Sequence, residues 1–204
     1  HAVRGSADVA EARCGAVAGV LEELARRGYI PGWRDEAYPV GRSFAEPPLF
    51  LMERAAVPLF GVRAYGVHVN GIVAGTKAKM WIARRSLTRP MAPGKLDQLV
   101  AGGQPAGLGV KQNLVKESAE EANIGPGLAA RAVPVGTISY LTERPEGLRN
   151  DVLFNYDLVV LRDFRPVNRD GEIEAFYLWP IDEVAAVVEQ SEAFKFNCAL
   201  VVID

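Results

Sequence analysis

"VAGGQPAGLGVKQNLVKESAEEANI", residues 100–124, sets a glycine-rich loop directly before a run of helix formers carrying Glu117, Glu120 and Glu121. Positions i, i+3 and i+4 of a helix share a face, so these carboxylates are predicted to point the same way. Like charges so placed repel by about a few tenths of a kcal/mol per exposed pair. A solvated helix face accounts for the spacing on its own. The preceding loop supplies a second reading. Glycines let backbone groups approach a ligand closely, and the first amides of the following helix favour an anion. Magnesium takes carboxylate, water and phosphate oxygens in octahedral array. A phosphate loop beside three carboxylates suits phosphoanhydride chemistry with a divalent cation, magnesium or alternatively manganese.

Two rival glycine motifs are excluded. A Walker A loop needs Gly-Lys-Ser/Thr at its end, but Gly107 is followed by Leu108. A dinucleotide fingerprint needs a third glycine, but Gly107-Leu108-Gly109 is followed by "VKQ".

The stretches on either side predict a strand-rich middle. "VAEARCGAVAGVLEELARRG" is helical, with Val17, Val20, Leu21 and Leu24 on one face and Gly28 as its stop. "YIPGWRDEAYPVG" reads as turn-rich. "KMWIARRS", "LDQLVA", "AVPVGTISYL", "DVLFNYDLVVL" and "EIEAFYLW" read as strands, and the polar "TERPEGLRN" as a connection. Asn70-Gly71, between "VHV" and "IVA", predicts a hairpin turn. Asn123 suits a left-handed helix terminus, and Asp182 an N-cap. One helix inserted among strands and another after them predict an α/β or α+β sandwich with a mixed sheet. A small N-terminal α/β lobe over 1–65 would precede the main domain over 66–204.

Composition narrows the function classes. The chain has 204 residues, 49% hydrophobic and 24% charged, with a formal net charge of -2. No basic excess points to nucleic acid or an anionic membrane surface. No apolar run is long enough to span a bilayer, and no signal peptide is expected. The two cysteines, Cys14 and Cys198, are expected to be reduced packing residues of a cytoplasmic protein. The two histidines exclude a His-rich zinc site. His1 is terminal, and His68 lies in an alternating stretch where a structural role is expected.

"KESAEEANI" resembles the second half of the Nudix box. That pattern runs arginine–glutamate, an aliphatic, any residue, a glutamate pair, any residue, glycine and an aliphatic. Glu117 stands at the first helix glutamate, Glu120 and Glu121 at the pair, and Ile124 at the closing aliphatic. Lys116 replaces the arginine, Ser118 the aliphatic and Asn123 the glycine. Leu108 stands where the loop glutamate belongs, and Gly102-Gly103 is one residue too close to the helix. The resemblance extends through "IPGWRDEAYPV", "MERAAVPLFGVRAYGVHVNGIV", "LDQLVAGGQPAG", "DGEIEAFYLWPIDEV" and "FKFNCALVVID". These look like one Nudix subgroup, which includes a domain fused to thiamine pyrophosphokinase and commonly has this shortened loop.

The resemblance implies a Nudix α/β/α sandwich and magnesium-dependent cleavage of an organic diphosphate, with oxidised thiamine diphosphates preferred. It implies Glu117, Glu120 and Glu121 as catalytic metal ligands, joined by the Gly102 carbonyl. Gly103, Arg84, Arg85, Trp33 and Arg34 are candidates for contact with substrate. Glu172 and Glu174 open a later strand, and either could reach the site. The expected partner is a small-molecule diphosphate, with a homodimer allowed. Two alternatives stay open: a nucleotide-sugar or dinucleotide pyrophosphatase, and an idle diphosphate-binding domain.

Overall fold

A computed structural model describes residues 4–204, with side chains described from Val9 onward. His1 lies outside the described residues. The chain forms two compact units. The first runs up to Tyr65 and takes in Gln104–Leu108 and Ser139–Val152. The second holds Gly66–Gly103, Gly109–Ile138 and Leu153–Asp204.

The first unit opens with helix α1 (Arg4–Arg26) and a two-stranded sheet of β1 (Ala37–Val40) and β2 (Phe50–Glu53). A 3₁₀ turn over Arg54–Ala56 and the short α2 (Val57–Phe60) follow. Leu21 of α1 is buried with Ile30, Tyr38, Met52 and Val57, and Val17 and Leu24 pack at the edge of that core. Val20, expected on the same face, is 56% exposed. It lies about 100° round the helix from Leu21, at the margin of the stripe. Gly28 follows the helix with a φ of 82°, as a left-handed stop requires. Glu53 is buried, and its carboxylate accepts from the backbone N–H groups of Arg34, Glu36 and Ala55 at 3.0, 3.2 and 3.0 Å. That one side chain therefore fixes the segment before β1.

Seven strands form the main sheet: β3 (Arg63–Val73), β4 (Lys79–Arg85), β5 (Leu96–Asp97), β6 (Val100–Gly103), β7 (Val133–Arg144), β8 (Gly147–Val160) and β9 (Ile173–Pro180). The order is β5-β4-β3-β8-β7, with β6 also on β3 and β9 also on β4. Side chains alternate across a strand, and β4 shows how the sheet is covered on both sides. Trp81 joins one core with Leu114 and Ala122 of α3 (Val110–Ala122). Met80 and Ile82 join another with Val184 of α5 (Ile181–Gln190) and Cys198 of α6 (Phe196–Ile203). This is the expected α+β sandwich. Among the described residues no helix is long and apolar enough to cross a membrane.

Four local expectations change. Asn70-Gly71 makes no hairpin turn and lies inside β3. Gly71 is there for close approach: a β-carbon would collide with the Leu99 side chain. The chain reverses later, between Val73 and Lys79. "LDQLVA" divides into β5 and β6, because Gln98 and Leu99 turn fully inward between them. "TERPEGLRN" is mostly strand, with β7 and β8 separated only by Pro145 and Glu146. Pro180, not Asp182, occupies the N-cap of α5, and Asp182 stands in its first turn, where an acid suits the helix dipole.

Candidate metal and phosphate site

Strand β6 and helix α3 build the site together. Gln112 caps α3 by accepting from the N–H of Gly109 at 2.9 Å. Asn123 ends the helix in the left-handed conformation, φ 53° and ψ 39°, as its identity predicts. Two side chains tie α3 to β6. Asn113 donates to the Gly103 carbonyl at 2.8 Å, and Glu121 accepts from the Ala101 N–H at 2.8 Å. The spacing of Glu117 and Glu121, one turn apart, sets both acids on the face toward β6.

The three glutamates differ in environment. The Glu117 side chain is 13% exposed and leans on Gly102, where a β-carbon would collide with it. Glu121 is buried. Burial pushes its carboxyl well above the ordinary range; the Ala101 N–H opposes this, and the charges of Asp97, Glu117 and Glu172 add to it. Glu120 is 46% exposed and faces outward. Lys116 bridges Glu117 and Glu120, at 3.2 and 2.8 Å. Partial burial works against the Lys116 ammonium, but the Glu120 and Glu117 carboxylates raise it above its ordinary value. The helix face thus divides: Glu117 and Glu121 turn inward, while Glu120 is held by lysine.

Two further carboxylates arrive from the segment before β9. The Arg169 N–H donates to the Glu120 carbonyl at 3.0 Å, and the Val167 N–H to the Ala122 carbonyl at 3.2 Å. The last carbonyls of α3 need such partners, and supplying them docks this segment beside the helix. It places carboxylate oxygens of Glu121, Asp170 and Glu172 within 4.8 Å of one another. Arg89 forms an ion pair with Glu172, and the Asp170 carboxylate accepts from the Glu172 N–H at 2.8 Å. Of the two acids expected to open this strand, Glu172 lies just before β9 and joins the cluster, while Glu174 lies 4.0 Å from Arg84. Asp170 was not anticipated. Asp170-Gly171 reads as an ordinary turn pair, and only tertiary docking brings it to the helix.

The donor set fits a hard divalent cation. It is all oxygen, it gathers excess negative charge, and mutual repulsion already disfavours ionisation of Glu121. Glu117, Glu121, Asp170 and Glu172 are the residues that could hold it. The Gly102 carbonyl oxygen lies 3.0 Å from where a β-carbon on Gly66 would stand, so it faces β3.

The other predicted contacts separate. Arg85 is buried; it pairs with Asp97 at 2.9 Å and donates to the carbonyls of Met91 and Ala92. Its guanidinium is committed inside the protein and is not offered to a diphosphate. Arg84, one residue away on the opposite face, is exposed and held above its ordinary value by a hydrogen bond with Tyr177. Trp33 and Arg34 lie in the first unit. Trp33 is 38% exposed and donates to Asp35 at 2.7 Å. His68 is buried on β3 beside Gln98, at 2.8 Å, which agrees with a structural role.

The chain is similar to known proteins in sequence and in fold. "Nudix hydrolase 20, chloroplastic" of Arabidopsis thaliana is 50% identical over 195 residues, covering 95% of this chain and 52% of the relative. The chain therefore spans about half the length of the curated relatives it matches. A crystal structure of a Deinococcus radiodurans protein aligns with a TM-score of 0.56 at 20% identity, covering 69% of this chain and 81% of that one. The Nudix domain of Shewanella oneidensis NrtR, solved with ADP-ribose, aligns with a TM-score of 0.53 at 14% identity, covering 69% and 84%. Residues 2–64 match a family described as a domain of unknown function, DUF4743. The fold is the Nudix fold, and the chain is similar along nearly its whole length to a curated relative named a Nudix hydrolase.

Proposed function

We propose that this chain is a pyrophosphohydrolase that cleaves a phosphoanhydride bond of an organic diphosphate with the help of magnesium. The observation that carries this reading is the convergence of Glu121, Asp170 and Glu172, with Glu117 near enough to raise Glu121 further. A bound divalent cation supplies charge neutralisation on the diphosphate oxygens as the anhydride breaks. The chain's own groups do the positioning. Ala101 fixes Glu121, Gly102 leaves room for Glu117, and Arg89 holds Glu172. Glu121 is the group best placed to hold a proton, since its surroundings favour the neutral acid.

Oxidised thiamine diphosphates are the substrates this reading favours, with a monophosphate and phosphate as products. The support is the subgroup resemblance, which reaches beyond the box into residues 30–40. Lys116 stands where the family has arginine, yet it keeps ion pairs to Glu117 and Glu120. This supports an active enzyme over an idle domain. Both cysteines are free, which supports a cytoplasmic site of action. The test is phosphate release with magnesium across a panel: thiamine diphosphate, its oxo and oxy forms, a nucleotide sugar and a dinucleotide. Turnover of the oxidised forms above the rest supports the reading in full. Turnover confined to the nucleotide compounds replaces the substrate, and no turnover of any compound refutes the hydrolase.

A further inference from the structure

We infer that Arg89 binds the phosphates of the substrate at the carboxylate cluster, the role expected of Arg84 or Arg85. The inference rests on the hydrolytic reading of that cluster. Arg85 is committed to Asp97, and Arg84 to Tyr177. Arg89 lies on the connection between β4 and β5 and forms an ion pair with Glu172. The Glu172 carboxylate is within 4.8 Å of those of Glu121 and Asp170. A guanidinium has five N–H donors in a rigid fork. Here Nη1 takes Glu172, while Nη2 makes no hydrogen bond among the described residues. Nε is enclosed without a partner, but Nη2 is not enclosed, and the side chain keeps 18% of its surface open.

The ion pair is not needed to tie the two segments together. The Ser86 N–H already does this by donating to the Glu172 carbonyl at 2.9 Å. The backbone that carries Arg89 is held as well. Arg85 donates to the carbonyls of Met91 and Ala92 at 3.0 and 3.2 Å, and the Arg89 N–H donates to the Ser86 carbonyl at 3.2 Å. Glu172 thus fixes one arm of a fork presented on anchored backbone, and the other arm is left for a ligand. An arginine beside these carboxylates repels a divalent cation bound to them. A phosphate that meets both positive charges offsets the repulsion, and the planar fork matches phosphate oxygens. Since Arg89 meets phosphate, it acts on every diphosphate alike and sets no preference among organic groups.

Methylenediphosphonate, a diphosphate analogue that cannot be hydrolysed, tests this by calorimetry at saturating magnesium. Arg89→Ala is expected to weaken its binding about tenfold to a hundredfold, the loss of one charged donor to phosphate. Arg89→Lys keeps the charge without the fork and recovers part of that loss. Arg84→Ala binds as the natural chain does. Melting temperatures of each chain, with and without magnesium, report folding and cation binding separately. A group that only holds Glu172 alters the stabilisation by magnesium and leaves the diphosphonate affinity at saturating magnesium unchanged. Equal diphosphonate affinity in the natural and Arg89→Ala chains therefore overturns the inference. A natural chain that binds no diphosphonate overturns the hydrolytic reading and this inference together. For substrates that are turned over, Arg89→Ala raises KM by a similar factor for each, and a changed rank order refutes a contact confined to phosphate.

Discussion

The side chain of Glu117 occupies the space that a β-carbon on Gly102 would need. The glycine of β6 and the acid of α3 are therefore one geometric unit. Gly102→Ala pushes Glu117 off its position while leaving its charge intact. Turnover is expected to fall about a hundredfold, the scale of an ångström-sized misplacement. The cost in stability is about 1–3 kcal/mol, as for other overpacked sites. Steady-state kinetics and urea denaturation check the two parts separately. Unchanged kinetics would remove Glu117 from the site.

Glu121→Gln keeps an acceptor for the Ala101 N–H and removes the ability to ionise when a cation binds. The fold should remain, because the native surroundings already favour a neutral acid there. Turnover should fall by about two orders of magnitude or more, the scale of removing one group from a preorganised site. Magnesium should also raise the melting temperature of the natural chain more than that of the variant. Equal magnesium-dependent stabilisation of both chains contradicts the assignment.

Arg85 and Asp97 form a buried ion pair. Removing one partner leaves an uncompensated charge, so Arg85→Met or Asp97→Leu alone should cost about 3–5 kcal/mol. The double substitution should recover much of that loss. Arg84→Ala, at an exposed position, should leave stability nearly unchanged. Urea midpoints for the natural chain and these four variants decide it. Additive losses in the double variant would show that the pair is not coupled.

His68 has its pKa lowered to about 4, by burial first and by Lys195 second, against Asp97 and Gln98. A depressed histidine favours folding above its unfolded pKa near 6.5. That contribution is lost as pH falls toward 4. The full loss is about 3 kcal/mol, from the separation of the two values. Denaturation at pH 7 and at pH 4.5 should show this loss in the natural chain. In His68→Gln the loss should be smaller by roughly that amount. A pH dependence identical in both chains refutes the assignment to His68.

Local signals in the sequence proved reliable where local physics sets the outcome. The shared face of Glu117 and Glu121 follows from helical geometry, though Glu120, expected with them, turns outward to Lys116; Asn123 follows from its tolerance of positive φ. Gly71 misled because glycine serves two purposes. Beside asparagine it reads as a turn, but here it makes room for Leu99, a neighbour known only after folding. Arg84 and Arg85 alternate visibly; which of them faces inward depends on Asp97, across the sheet. Asp170 was hidden for the same reason. It reaches Glu121 only because the last carbonyls of α3 accept from Val167 and Arg169.

The two ties between α3 and β6 bear on how such proteins diversify. Asn113 grips Gly103 and Glu121 grips Ala101, so the helix is clamped to the strand independently of the residues that connect them. Insertions or deletions in that connection can then accumulate without disturbing the acids. A connection one residue shorter than the Nudix pattern thus leaves both ties in place. Gln104–Leu108 can then vary while the acids of α3 keep their places.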